Sequence, residues 1–151
     1  MFANILIASD GTDKSDHVVS VAQLLARQSR SRVVAAHVTK WRTLRGFQYR
    51  QYPDEDLRRL KVRSQVADLQ AAGLDAEVRM DSTLRKPAPR LAQIARDAGA
   101  DLIVIGGSRH GTLAGLLLGS VGQRMPRLAS CPVLVVPPLK TSPRLTQWWL
   151  R

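Results

Sequence analysis

Asp101-Leu102-Ile103-Val104-Ile105-Gly106-Gly107-Ser108 carries an unbroken aliphatic run that stops at two glycines. A strand with no polar alternation is covered on both faces, which is the condition of a parallel sheet between helix layers. Working outward, the same character recurs in Ile5-Leu6-Ile7-Ala8, in Val33-Val34-Ala35-Ala36-His37-Val38 and in Val133-Leu134-Val135-Val136. Ala76-Glu77-Val78-Arg79-Met80 alternates more and predicts an edge strand.

Helical patterns separate these runs. Asp13 or Ser15 is a candidate cap for a helix burying Val18, Val21, Ala22, Leu25 and Ala26. A second begins near Pro53-Asp54, turns Leu57, Leu60, Val66 and Leu69 inward, and stops at Gly73. A third follows Pro87 and Pro89, buries Leu91, Ile94, Ala95 and Ala98, and ends at Gly99. The fourth starts at Ser120, which has capping-box spacing with Gln123, and Pro132 bars its continuation. The order β-α-β-α-β-α-β-α-β implies right-handed crossovers and an α/β, doubly wound parallel sheet. Thr39 to Pro53 and the tail from Thr141 to Arg151, with Trp148 and Trp149, read as irregular.

A chain of 151 residues suits one domain and buries enough surface to need no disulfide or metal. The division expected is a domain over 1–138 and a tail over 139–151 docked on the domain or on a partner subunit. One cysteine, Cys131, excludes an internal disulfide and fits a reducing, cytoplasmic setting. The apolar start meets Asp10 at once, so neither a signal peptide nor a membrane span is expected. The unusual property is charge: 23 Lys+Arg against 12 Asp+Glu leave a formal net of +11. Such a surface attracts polyanions in a salt-dependent way; it is equally a solvated face with a basic bias.

In a doubly wound sheet, ligands bind beyond the carboxyl ends of the strands where strand order reverses. Two loops there carry unusual residues: Ala8-Ser9-Asp10-Gly11-Thr12, and the long glycine-rich stretch from Gly106 to Ser120. Glycines let a backbone approach an anion, and a helix start at Ser120 favours phosphate. The Asp10 carboxylate would repel phosphate and instead accept hydrogen bonds from ribose hydroxyls or an adenine amine. Together these make a nucleotide layout, although Asp10-Gly11 alone is more often a turn.

The stretches Asp101 to Arg109, Leu116-Leu117-Leu118-Gly119-Ser120-Val121 and Cys131 to Val136, with Asp10-Gly11-Thr12 near the start, resemble the universal stress protein family. That family shares a GADLIVxG stretch, a G-x2-G-x9-G-[S/T] loop and a closing CPVLVV strand. The resemblance runs from about residue 2 to about residue 137. It implies a Rossmann-like, five-stranded parallel sheet of order 3-2-1-4-5, a homodimer formed through the last strand (Val133 to Val136), and ATP as ligand, with or without Mg2+. It carries over Asp10 as the ribose contact and Val38 at the adenine. Gly107, Gly119, Ser120 and Val121 fall around the phosphates, with Ala8 and Ser9 lining the adenine side. Counted from Gly107, the span to Gly119 is one residue shorter than the pattern requires, with Gly111 as a stand-in glycine.

Arg109 and His110 lie in the same loop and are candidates for phosphate contact or for solvent. His37 reads as a packed, hydrogen-bonded residue and His17 as outward; no spacing suggests a metal site. No carboxylate–histidine pair is evident near the glycine loop, so hydrolysis is expected to be slow at most. The stretch from Trp41 to Tyr52 mixes arginines with aromatics; that mix suits single-stranded nucleic acid, or a cover over the crevice or the second helix, and the cover is favoured. Two alternatives remain. One is a scaffold without nucleotide that engages a protein or polyanion through its basic surface. The other is an ATP pyrophosphatase-like enzyme, disfavoured because Asp10 would repel pyrophosphate.

Overall fold

The computed structural model describes residues 1–107 and 118–139. Its elements are β1 (Asn4–Ala8), α1 (Ser15–Ser29), β2 (Arg32–Leu44), β3 (Phe47–Arg50), α2 (Glu55–Ala71), β4 (Ala76–Thr83), α3 (Pro87–Asp97), β5 (Leu102–Gly106), α4 (Ser120–Leu128) and β6 (Val133–Val136). The parallel strands run β4-β2-β1-β5-β6. That is the expected order, with β4 and β6 at its edges.

Alternate residues of the central strands feed two cores. Ile5, Ile7, Val33, Ala35 and Val104 pack with Val18, Val19 and Ala22 of α1 and Val62, Val66 and Leu69 of α2. Leu6, Val34, Ala36, Ile103 and Ile105 pack with Leu91, Ile94 and Ala95 of α3 and Met125 of α4. Burial on both faces is the reason these strands are uniformly apolar.

The structure corrects several expectations. The stretch from Thr39 to Pro53 is not irregular: β2 runs on to Leu44 and pairs antiparallel with β3, making the sheet six-stranded and mixed. Arg45 and Gly46 close this hairpin at φ 48° and 81°, the positive values of a two-residue turn whose twist suits paired strands. In α2, Leu57 and Leu60 face solvent at 69% and 61% exposure, while Glu55 and Gln65 are buried with Val62, Val66 and Leu69. Leu60 lies nine residues before Leu69, half a turn out of phase at 3.6 residues per turn. Neither Asp13 nor Ser15 caps α1; Lys14 holds the cap position, and the Ser15 hydroxyl donates to the Thr12 carbonyl at 2.6 Å. The tail from Thr141 to Arg151 lies outside the described residues.

Candidate functional site

A crevice of about 960 Å³ opens at the carboxyl ends of β1, β2 and β5. That volume lies at the upper end of the roughly 300–1,000 Å³ usual for small-molecule sites. Ala8, Ser9, Asp10, Val38, Gly107, Gly119, Ser120 and Val121 all line it. Eight of the sequence candidates thus share one cavity, while Arg109, His110 and Gly111 lie outside the described residues.

The loop after β1 is held from below. The Asp10 Oδ1 accepts the Thr12 N–H at 2.9 Å and the Thr12 hydroxyl at 2.7 Å. Its Oδ2 has no protein partner among the described residues. Gly11 sits at φ +71°, where a side chain is strained, and a Cβ there would overlap the Arg58 backbone carbonyl of α2. The glycine lets the loop lie directly on that helix. Beneath it, the Ser9 hydroxyl donates to Gln65 Oε1 at 2.8 Å, and Gln65 Nε2 donates to Ser15 Oγ at 2.8 Å and Asp16 Oδ1 at 3.0 Å.

Across the crevice, α4 begins at Ser120 with Gly119 at its cap position and, among the described residues, no side chain bonded to its first N–H groups. The expected capping box does not form. The Gln123 amide donates instead to the Leu118 carbonyl at 2.9 Å. The first turn of α4, uncapped by any side chain among the described residues and carrying the positive end of the helix dipole, therefore lines the crevice.

Gly106 ends β5, and a Cβ on it would come 3.1 Å from Val18 Cγ2. Gly106 is thus closely packed against α1, and a side chain there would have to displace Val18. Gly119 lies 13 positions after Gly106, the full span of the family pattern, so the loop is not shortened. The departure is the second glycine, whose place Arg109 takes.

The sequence reading missed several lining residues: Lys14, His17, Lys40, Tyr52, Glu55 and Arg58. His17 is half-buried in the crevice wall and not outward. Arg58 stacks over the Tyr52 ring at 4.0 Å from the centroid and pairs with Asp54 at 3.0 Å. A carboxylate–histidine pair does line the crevice, on the β2 side rather than beside the glycine loop. The buried His37 donates through Nδ1 to the Ser9 carbonyl at 2.8 Å, and its Nε2 meets Glu55 Oε1 at 2.6 Å. The Thr39 hydroxyl donates to the same Glu55 oxygen at 2.6 Å. Both imidazole nitrogens are committed within the protein, in keeping with a packed rather than a ligand-binding role. No hydropathy signal marks Glu55, since a buried carboxylate is visible only through its partners.

The sequence profile of the universal stress protein family matches residues 1–137. A Thermus aquaticus universal stress protein, that of the QAH/OAS sulfhydrylase 3′ region, is 32% identical over 138 residues, covering 90% of this chain and 99% of its own. Among solved structures, a universal stress protein from Archaeoglobus fulgidus superposes with a TM-score of 0.70 at 22% identity, over 89% of this chain and 98% of its own. A universal stress protein in complex with cAMP superposes at 0.66 with 26% identity, over 89% of this chain and 97% of its own.

Proposed function

Because the chain belongs to the universal stress protein family, we propose that it binds an adenine nucleotide, ATP foremost, in this crevice and acts as a stress-response or regulatory binding protein. The observation that carries the reading is the pairing of chemistries across one cavity. The open oxygen of Asp10 suits ribose hydroxyls, and the uncapped start of α4 suits phosphate. In this reading the base lies against Ala8, Ser9 and Val38, and the phosphates lie between Gly106-Gly107 and Gly119-Ser120-Val121. Lys14 and His17 add donors near the first turn of α1. The relative that holds cAMP supports an adenine ligand.

Hydrolysis is slow at most in this account. The one histidine–carboxylate pair lining the crevice among the described residues has its hydrogen bonds occupied, so it offers no free base to activate water. The edge of β6 that no described strand pairs, where Leu134 is partly exposed, is the surface through which a second copy would pair.

Calorimetric titration of nucleotide-stripped protein with ATP, AMP and cAMP tests the reading, at near-physiological salt with and without Mg2+. Saturable binding that Asp10→Ala weakens at least about tenfold, the worth of one charge-assisted hydrogen bond, is expected. No heat at millimolar nucleotide removes the proposal.

A further inference from the structure

A second cleft, of about 460 Å³, lies outside the crevice and shares no lining residue with it. It forms where β2 outruns its parallel neighbour. The last β2–β4 pair is Lys40 with Thr83, after which β4 turns away toward α3 and β2 continues into the hairpin. Trp41, the first residue past that pair, and Gln48 line one wall; Ser82, Thr83, Arg85 and Arg90 line the other.

The hairpin register explains the placement. Trp41 is opposite Arg50 and Thr43 is opposite Gln48, so these four share one face. Arg50 covers the Trp41 ring at 5.6 Å. Arg42, Leu44, Phe47 and Tyr49 share the other face, where Phe47 is 78% exposed and Leu44 and Tyr49 are also exposed. Lys40, Arg42, Arg45 and Arg50 lie between Thr39 and Pro53 with no acidic residue among them. The cover expected for these aromatics is confined to Tyr52 and the base of the hairpin, because Trp41, Phe47 and Tyr49 do not line the crevice. Arg85 has no ion pair among the described residues, and Arg90 has one, to Asp81 at 3.2 Å.

We propose that this hairpin binds single-stranded nucleic acid that passes round it, from the cleft on its Trp41 face to the exposed Phe47–Tyr49 face opposite. Exposed rings supply faces for bases, and arginines meet the phosphates, a combination that reads any unpaired strand. Phe47 and Tyr49 stand two residues apart on one strand face, about 7 Å, which suits successive bases of an extended strand. A duplex hides its base faces and offers nothing for the rings to stack on. Apart from Trp41 and Leu84, the cleft lining carries hydroxyl, amide and guanidinium groups (Ser82, Thr83, Gln48, Arg85, Arg90), which suit base edges and phosphate better than lipid tails. The net charge of +11 favours the encounter.

Fluorescence anisotropy of a labelled twelve-nucleotide oligothymidine tests this with the full, nucleotide-stripped chain, and Asp10→Ala reports any contribution from the crevice. Three phosphate contacts predict a fall in affinity of roughly 20-fold between 50 and 200 mM salt. Trp41→Ala, Phe47→Ala and Arg85→Ala should each weaken binding about tenfold, and Asp10→Ala should leave it unchanged. Phe47 and Arg85 are surface positions, so those two variants report even if Trp41→Ala does not fold. No binding at 50 mM salt overturns the proposal, as does wild-type affinity in both surface variants. Equal affinity for a duplex overturns it, and so does binding to phosphatidylserine vesicles in place of the oligonucleotide. Loss of ATP binding in Asp10→Ala with oligonucleotide binding intact would show the two sites to be separate.

Discussion

His37 Nε2 lies 2.6 Å from Glu55 Oε1, joining β2 to the first turn of α2 inside the wall of the crevice. The Ser9 carbonyl can only accept, so His37 Nδ1 carries a hydrogen. Nε2 faces the carboxylate, so both ring nitrogens are engaged within the protein. Through Ser9, this pair also sets the height of the loop that carries Asp10.

Removing the carboxylate should therefore be costly. Glu55→Ala leaves His37 and Thr39 buried without their partner, a loss of about 3–5 kcal/mol in urea unfolding. A loss below about 1 kcal/mol would mean that water or a rearranged side chain replaces Glu55.

Gly11 offers a backbone counterpart. Its φ of +71° and its approach to the Arg58 carbonyl leave no room for a methyl group. Gly11→Ala should cost at least about 2 kcal/mol, combining backbone strain with overpacking, and should weaken nucleotide binding by displacing Asp10. Thermal unfolding and calorimetry on the same sample separate the two effects.

The two faces of α2 predict unequal leucines. Leu69→Ala, in the core, should cost about 2–5 kcal/mol, whereas Leu60→Ala should stay within about 0.5 kcal/mol of wild type. Equal losses would place the helix in the other rotation.

Asp16 links stability to acid. Burial raises its pKa, but hydrogen bonds from Gln65 and Lys61 and the Lys61 charge outweigh this and hold it below the ordinary 3.8. A depressed carboxyl stabilises the fold above its unfolded pKa and loses that contribution as pH falls through the folded value. In an acid titration, Asp16→Asn should flatten the loss of stability below about pH 4 relative to wild type. The difference should be small because the side chain is half exposed. An unchanged acid limb would remove Asp16 from the linkage.

The elements legible in the sequence were those whose neighbours demand a uniform property. Val33 to Val38 and Leu102 to Ile105 had to be apolar because helices cover both faces of the sheet. Gly73 after α2 and Gly99 after α3 marked the ends of those helices for equally local reasons. The hairpin escaped because its turn is Arg45-Gly46, with arginine where asparagine or aspartate usually announces such a turn. The rotation of α2 escaped because its inward face carries Glu55 and Gln65, and its outward face two leucines.

By itself, then, the sequence determined the sheet, its order through a family resemblance, and eight of the residues that line the crevice, since strand burial and loop glycines are local consequences of composition. Only the tertiary structure decided that Glu55 meets His37, that Gly106 packs against Val18, and that Trp41 and Arg85 line the same second cleft. Each of these joins residues distant in the chain. A polar or steric partner across such a gap leaves no periodic trace in the residues on either side.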